Sequence, residues 1–267
     1  MPWHSPSNFF SSPSDARAAG FLADAELVWE LLDGIGPFVS SILRPNVAPL
    51  REIQGGLVPR PAAIMDGKAI PDGITYDLKP PDGGFRVYLE GKELPGAALV
   101  LPGAFLASDD IELGPGALVE SGAWIAGPTL IGSGAAVRQG AYVRGSVLAM
   151  EGAMIGHATE AKNVVMLDGA RAGHFAYLGD SILGNGVNLG AGTKLANLKM
   201  TSLPYRFKVG GKVTEVLRRK FGAVLGDGVE TGCNSVANPG TLMGMNCRVM
   251  PNASVRAGYH DHMTVVK

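Results

Sequence analysis

The sequence predicts an all-β dominated chain: a parallel β-helix of hexapeptide repeats with a small, partly helical N-terminal cap. Three observations predict it. Aliphatic residues recur every six positions at Leu101, Ala107, Leu113, Val119, Ile125, Ile131, Val137, Val143, Ala149, Ile155 and Ala161. A small residue often follows, as at Gly114, Ala126, Gly132 and Gly156. The 38 glycines set against 9 Phe, 6 Tyr and 3 Trp suit a narrow coil filled by Val, Ile, Leu and Ala. A period of six matches neither a helix, with a period near 3.6, nor a simple strand, with a period of about 2. It matches a triangular coil in which each hexad supplies one short strand and one turn, so spatial neighbours lie about 17 to 18 residues apart.

Taken in order, residues 1–20 are rich in Ser, Pro and Ala and are expected to be extended, with Phe9 and Phe10 available to dock on a neighbour. Between Ala23 and Leu43, Leu27, Val28, Leu31, Leu32, Ile35, Val39, Ile42 and Leu43 follow helical spacing, broken by Gly34, Gly36 and Pro37. One or two short helices are expected there, with Asp24 near the start. Residues 45–95 are dense in Pro and Gly, with a hairpin expected around Phe85–Leu89 and Lys92–Leu94. Residues 1–95 thus read as an accessory cap, which the open end of a solenoid needs.

Residues 96–267 read as the β-helix domain. Steps of five run from Ala161 to Met166 and from Leu178 to Leu183, with Ala172, Leu189 and Leu195 on the grid. The repeat resumes at Leu225, Thr231, Ala237, Met243, Val249 and Val255. Between the two runs, residues 198–219 leave the grid as an insertion. It carries Lys199, Arg206, Lys208, Lys212, Arg218 and Arg219, with Lys220 next. Insertions in a solenoid emerge at a corner and often line a binding face. This one reads either as a solvated hairpin or as a source of cations for phosphate. Because solenoid stability is mostly local, its removal is expected to leave the fold nearly unchanged.

A net charge of −1 gives no support for nucleic acid or a membrane surface as partner. Cys233 and Cys247 are too few for a disulfide framework and lack metal-site spacing. With no apolar run of about 18 residues and no leader pattern, a soluble cytoplasmic protein is expected.

The most specific stretch is Gly173-His174-Phe175-Ala176-Tyr177-Leu178-Gly179-Asp180, then Gly186-Val187-Asn188-Leu189-Gly190-Ala191-Gly192-Thr193, then Asn197. It closely resembles the acetyltransferase half of the bifunctional N-acetylglucosamine-1-phosphate uridyltransferase/glucosamine-1-phosphate acetyltransferase family. The long insertion ending Arg218-Arg219-Lys220 is most similar to the archaeal sugar-phosphate nucleotidyltransferases that carry an acetyltransferase domain. The resemblance covers residues 100–260 and implies a left-handed winding, the known exception to right-handed parallel crossovers. It implies an acetyl-CoA-dependent N-acetyltransferase acting on an amino-sugar 1-phosphate such as glucosamine 1-phosphate, assembled as a homotrimer.

Carried onto this sequence, the family's basic phosphate-binding positions fall at Arg144 and Lys162, with Glu160 also matched. Tyr177 and Asn188 then contact phosphate and ring hydroxyls, and Lys220 supplies a further active-site lysine. Ala191, Asn197, Cys233 and Pro251 fall at acyl-donor contacts, Cys233 standing where the family often has a serine. The nucleotidyltransferase half has no counterpart in about 95 residues, so uridylyl transfer is not expected. His174 is the expected general base, because imidazole titrates near neutrality and the attacking amine must lose a proton. A backbone N–H of Gly190-Ala191-Gly192 is placed to stabilise an oxyanion.

His157 and His174 both sit two positions after an aliphatic grid residue and are expected to stack on adjacent coils about 4.8 Å apart. Two histidines do not make a zinc site, so no catalytic metal is expected and His157 reads as structural or pKa-tuning. His260 and His262 read as a solvated tail. The alternatives are an acyltransferase on a nucleotide-linked amino sugar or with a longer acyl donor, a non-catalytic sugar-phosphate-binding scaffold, and a zinc hydratase.

Overall fold

In the computed structural model, residues 3–23, 25–81, 83–201, 204–209 and 211–267 are described; Asp24 lies outside them. Short parallel strands stack in three faces. The first face runs through Leu118–Val119, Ala136–Val137, Met154–His157, Arg171–His174, Asn188–Leu189, Glu230–Thr231 and Arg248–Val249. The second runs through Trp124–Ala126, Tyr142–Arg144, Glu160, Tyr177, Lys194–Leu195 and Val236–Ala237. The third runs through Ile111–Leu113, Thr129–Ile131, Val147–Ala149, Val164–Met166, Ser181–Leu183, Ala223–Leu225 and Thr241–Met243.

Apart from the half-buried Thr231, the predicted grid residues fill the interior from Leu113 to Val255, where Val, Ile, Leu, Ala and Met form one continuous core. The first coil departs from the grid by one residue. Val100 pairs with Val119 and Leu106 with Ile125, so these, and not Leu101 and Ala107, point inward. The turn at Ala107–Asp110 is longer than its successors, and an extra residue there shifts everything before it.

The five-residue steps also have a local cause. Strands Glu160–Met166 and Tyr177–Leu183 run unbroken across the second corner because Asn163 (φ 51°) and Asp180 (φ 48°) bend the backbone in the left-handed region. Asn and Asp adopt that region more readily than other non-glycine residues.

The N-terminal region does two jobs. Residues 47–70 plug the open end: Val47, Leu50, Val58 and Ile64 enter the solenoid core, and Ala62–Met65 pairs antiparallel with Ala98–Val100. Residues 3–23 and 25–43 instead run along the third face. Helices α1 (Ala16–Ala23) and α2 (Leu31–Ile42) lay Phe21, Leu31, Leu32, Ile35 and Val39 over Leu130, Leu148, Val165 and Ile182. Those outward residues are apolar, and only this covering removes them from water. Residues 1–20 are therefore not uniformly extended: Pro6–Asn8 forms a short 3-10 turn, and α1 begins at Ala16. Phe9 and Phe10 dock on the chain's own third face. The expected hairpin is present as Arg86–Leu89 paired with Lys92–Glu93.

The insertion leaves and re-enters at one point of the second corner, where Leu198 and Lys220 bridge and the Phe221 N–H donates to the Asn197 carbonyl at 2.8 Å. It forms the hairpin Tyr205–Val209/Lys212–Val216. That hairpin is not a solvated one. Tyr205, Phe207 and Val216 are buried, and Phe207 stacks on Trp29 at 4.8 Å. Among the described residues, no helix is long and apolar enough to cross a membrane.

Candidate functional site

Alternation along the second face sends Tyr142, Glu160, Tyr177 and Lys194 outward in one column, with Arg144 and Lys162 outward beside them, two residues along their strands. This produces a dense polar corner. Arg144 Nη1 donates to Glu160 Oε1 at 2.7 Å. Lys162 Nζ lies 3.8 Å from Asp180 Oδ1. Asn197 Nδ2 donates to Asp180 Oδ2 at 2.5 Å, and Asn163 Nδ2 donates to Asp180 Oδ1 at 3.1 Å. Gly179 is required here, because a Cβ would lie 2.5 Å from Asn197 Nδ2 and 2.7 Å from Tyr177 Oη.

The electrostatics follow from that crowding. Partial burial, and secondarily the neighbouring Lys220, pull the Lys162 ammonium below the usual lysine range despite Asp180. Burial also pushes the Tyr177 phenol up, with Glu160 adding to the effect, so it stays protonated and can donate. The Glu160 hydrogen bond raises Arg144 further. Two carboxylates thus stand among three cations, Arg144, Lys162 and Lys220. An incoming dianion would meet partly free positive charge in a half-desolvated setting, where charge-assisted hydrogen bonds are strong.

The first corner carries the other expected residues. His174 ends strand Arg171–His174 and is exposed, in register with His157 one coil before. The His174 carbonyl accepts from the Gly192 N–H at 2.9 Å, which ties the Gly190-Ala191-Gly192 turn to it. Further along this edge the Asn234 N–H donates to the Ala191 carbonyl at 2.8 Å and the Asn252 N–H to the Cys233 carbonyl at 2.9 Å. Ala191, Cys233 and Pro251 therefore form one line continuing from His174. His174 and Tyr177 are separated only by the Phe175–Ala176 turn, in which Phe175 takes φ 53° and is 59% exposed.

The structure brings together Arg144, Lys162, Tyr177, Asn197 and Lys220. It places Asn197 at the second corner, bonded to Asp180, and not on the Ala191–Cys233–Pro251 edge. Asn188 is exposed on the first face, in register with Arg171 and Glu230, around a corner from Lys162. Three of the insertion's other cations have partners of their own. Arg218 binds Asp33 at 2.6 Å, Arg206 binds Glu215 at 2.9 Å, and Lys199 donates to the Pro204 carbonyl at 3.3 Å.

Asp180 and Asn163 were not singled out from sequence as functional, although the five-residue steps marked their corner. Sequence also missed an aromatic ladder: Phe105 and Trp124 stack at 6.4 Å, Trp124 meets Tyr142 at 4.9 Å, and Arg144 lies 5.8 Å over the Tyr142 ring. Among the described residues there is no group of three or more His, Cys, Asp or Glu that could hold a metal ion. His260 and His262 are not a free tail: His260 Nε2 lies 2.8 Å from the Arg256 carbonyl, and His262 Nδ1 accepts from the Met245 N–H at 2.9 Å.

No protein-family model matches the chain. The bifunctional sugar-1-phosphate nucleotidylyltransferase/acetyltransferase of Sulfurisphaera tokodaii is 38% identical over 113 residues, 42% of this chain and 28% of that protein. The bifunctional protein GlmU of Methanococcus vannielii is 38% identical over 102 residues, 38% of this chain and 24% of that protein. GlmU of Methanocaldococcus jannaschii is 34% identical over 93 residues, 35% of this chain and 22% of that protein. The chain thus spans roughly a quarter of the length of these curated relatives. With the β-helix and the corner that gathers Arg144, Lys162, Tyr177 and Asn197 in place, the resemblance read from Gly173–Asn197 is borne out: the chain is similar over about two fifths of its length to bifunctional GlmU-type proteins.

Proposed function

We propose that the chain is an N-acetyltransferase that moves an acetyl group from acetyl-CoA to the amine of an amino-sugar 1-phosphate. One observation carries the reading: Arg144, Lys162 and Lys220 converge with Tyr177 and Asn197 at the end of the second face, and Tyr177 at the start of that face is one tight turn from His174. The cations and Tyr177 hold the phosphate and ring hydroxyls, which places the sugar across the second face with its amine toward His174.

The amine nitrogen attacks the thioester carbon, and His174 accepts the proton that nitrogen loses. An N–H of the Gly190–Gly192 turn donates to the developing oxyanion. The C–S bond then breaks, and the proton held by His174 goes to the departing sulfur, leaving an amide and free coenzyme A thiol. General-base help of this kind contributes about 10² to 10⁴ in rate. The donor would lie along the Ala191–Cys233–Pro251 edge. Asn188 lies on a different face from Lys162, which supports a site completed between neighbouring subunits of a homotrimer. Acetyl-CoA as donor fits a cytoplasmic enzyme.

The aromatic ladder at Trp124 and Tyr142, contiguous with Arg144, favours a second reading in which the acceptor is a nucleotide-linked amino sugar whose base stacks there. An acceptor screen with a free-thiol readout tests both. Turnover with glucosamine 1-phosphate supports the first, turnover confined to nucleotide-linked amino sugars supports the second, and turnover with neither removes both.

A further inference from the structure

Helix α2 reaches the phosphate corner at two consecutive residues. Asn163, which follows Lys162 directly, donates through Nδ2 to the Leu32 carbonyl at 3.3 Å as well as to Asp180 Oδ1 at 3.1 Å. Asp33 next along α2 receives Arg218 at 2.6 Å, and Arg218 Nε in turn donates to the Lys220 carbonyl at 3.2 Å. Covering an apolar solenoid face needs only the apolar stripe of α2. These two polar contacts lead instead to the neighbours of the site's two lysines.

Asp180 is the joint between them. It is 5% exposed, so its carboxylate is set by its partners and not by water. Those partners are Asn163, Asn197 and the Lys162 ammonium. Removing the Asn163 amide takes a hydrogen bond from Asp180 Oδ1, the oxygen that faces Lys162, and cuts one of the two ties between the corner and α2. Lys162 then loses a fixed counter-charge and, with it, its set direction.

We propose that Asn163 is a positioning residue of the acceptor site, through which helix α2 fixes Asp180 and so aims Lys162 at the acceptor's phosphate. The inference rests on reading this corner as the phosphate site. It assigns the N-terminal segment a part in substrate selection beyond covering a face.

The test compares wild type, Asn163→Gly and Asn163→Asp as full chains, with acetyl-CoA as donor and either glucosamine 1-phosphate or glucosamine as acceptor. Glycine adopts the left-handed backbone without strain and removes the side chain that carries the amide. Asn163→Gly is expected to raise KM for glucosamine 1-phosphate about tenfold, with kcat changed less than about twofold and KM for glucosamine and acetyl-CoA unchanged. Asn163→Asp, which tolerates the same backbone and faces Asp180 with a carboxylate, is expected to lose at least as much. It carries the readout if the glycine variant does not melt cooperatively. An unchanged KM for the phosphorylated acceptor, or equal losses with both acceptors, overturns the positioning role while leaving the phosphate corner standing. A wild type that does not prefer the phosphorylated acceptor overturns the corner reading and this inference together.

Discussion

His157 and His174 are register partners on successive coils, but only His157 is tethered: its Nδ1 lies 2.9 Å from the Gln139 carbonyl, and its ring meets Phe175 edge-on at 5.3 Å. A carbonyl partner fixes the His157 tautomer with the proton on Nδ1 and leaves Nε2 open. Among the described residues, the His174 ring has no hydrogen-bond partner. The pair divides into a held ring and an available one.

That division predicts a split in kinetics. His174→Ala is expected to lower kcat by about two to four orders of magnitude with little change in acceptor KM, since only proton transfer loses its partner. Arg144→Ala is expected mainly to raise acceptor KM, because phosphate contacts persist from ground state to transition state. Steady-state kinetics on both variants checks this. Near-normal turnover of His174→Ala on every amino-sugar phosphate tested would make that histidine structural.

Lys162 is expected to set the alkaline limit of acceptor binding. Burial and the nearby Lys220 hold its ammonium below the ordinary lysine value of 10.5, so it loses charge at lower pH than a free lysine. Its folded pKa is lower than its unfolded one, so the unfolded chain binds more protons between the two values, and this residue's contribution to stability rises with pH across that window. Phosphate affinity moves the opposite way. Acceptor KM is expected to climb with pH at values short of 10.5, and Lys162→Arg, which keeps its charge, is expected to push that climb to higher pH. Superimposable pH profiles for the two proteins would rule the idea out.

The insertion hairpin is expected to matter for stability, contrary to the local-solenoid expectation. Deleting residues 198–219 re-exposes Trp29 and Phe221 and removes the Arg218–Asp33 pair. Each large apolar side chain returned to water costs roughly 1.5 to 3 kcal/mol, so the denaturant midpoint should fall clearly. The same hairpin offers a stabilising change. The Tyr205 hydroxyl is buried without a hydrogen-bond partner, and Tyr205→Phe is expected to stabilise the protein by about 1 kcal/mol. Urea unfolding measures both changes, and a destabilised Tyr205→Phe would mean the hydroxyl is satisfied in solution.

Subunit sharing of the site predicts complementation. If Asn188 of one subunit and Lys162 of the next serve one site, separately inactive Asn188→Ala and Lys162→Ala proteins should recover activity when mixed under conditions that exchange subunits. Light scattering at micromolar concentration should give a trimer mass. A monomer, or mixtures as inactive as their components, counts against the shared site.

The hexad pattern alone was enough to read the architecture, and the resemblance in the stretch Gly173–Asn197 supplied the expected site residues. A coil admits one aliphatic residue per hexad at its axis, so Leu113, Val119, Ile125 and their successors declare the repeat without reference to anything distant. The stacking of His157 on His174 followed from the same arithmetic. Whatever depends on side chains meeting across large sequence separations became visible in the folded chain. The tertiary structure placed the Phe9 segment and α2 on the third face, because apolar residues at Leu130, Leu148 and Val165 match any apolar helix and name no partner. It sent Arg218 to Asp33 and kept Lys220 at the site, a choice among neighbouring cations that composition does not contain. It moved the first coil's inward residues to Val100 and Leu106, since a one-residue turn difference reverses which side of a strand faces in. And it made Asp180 the joint between Lys162, Asn163 and Asn197, a role fixed by a left-handed corner and by partners from two other passes of the chain.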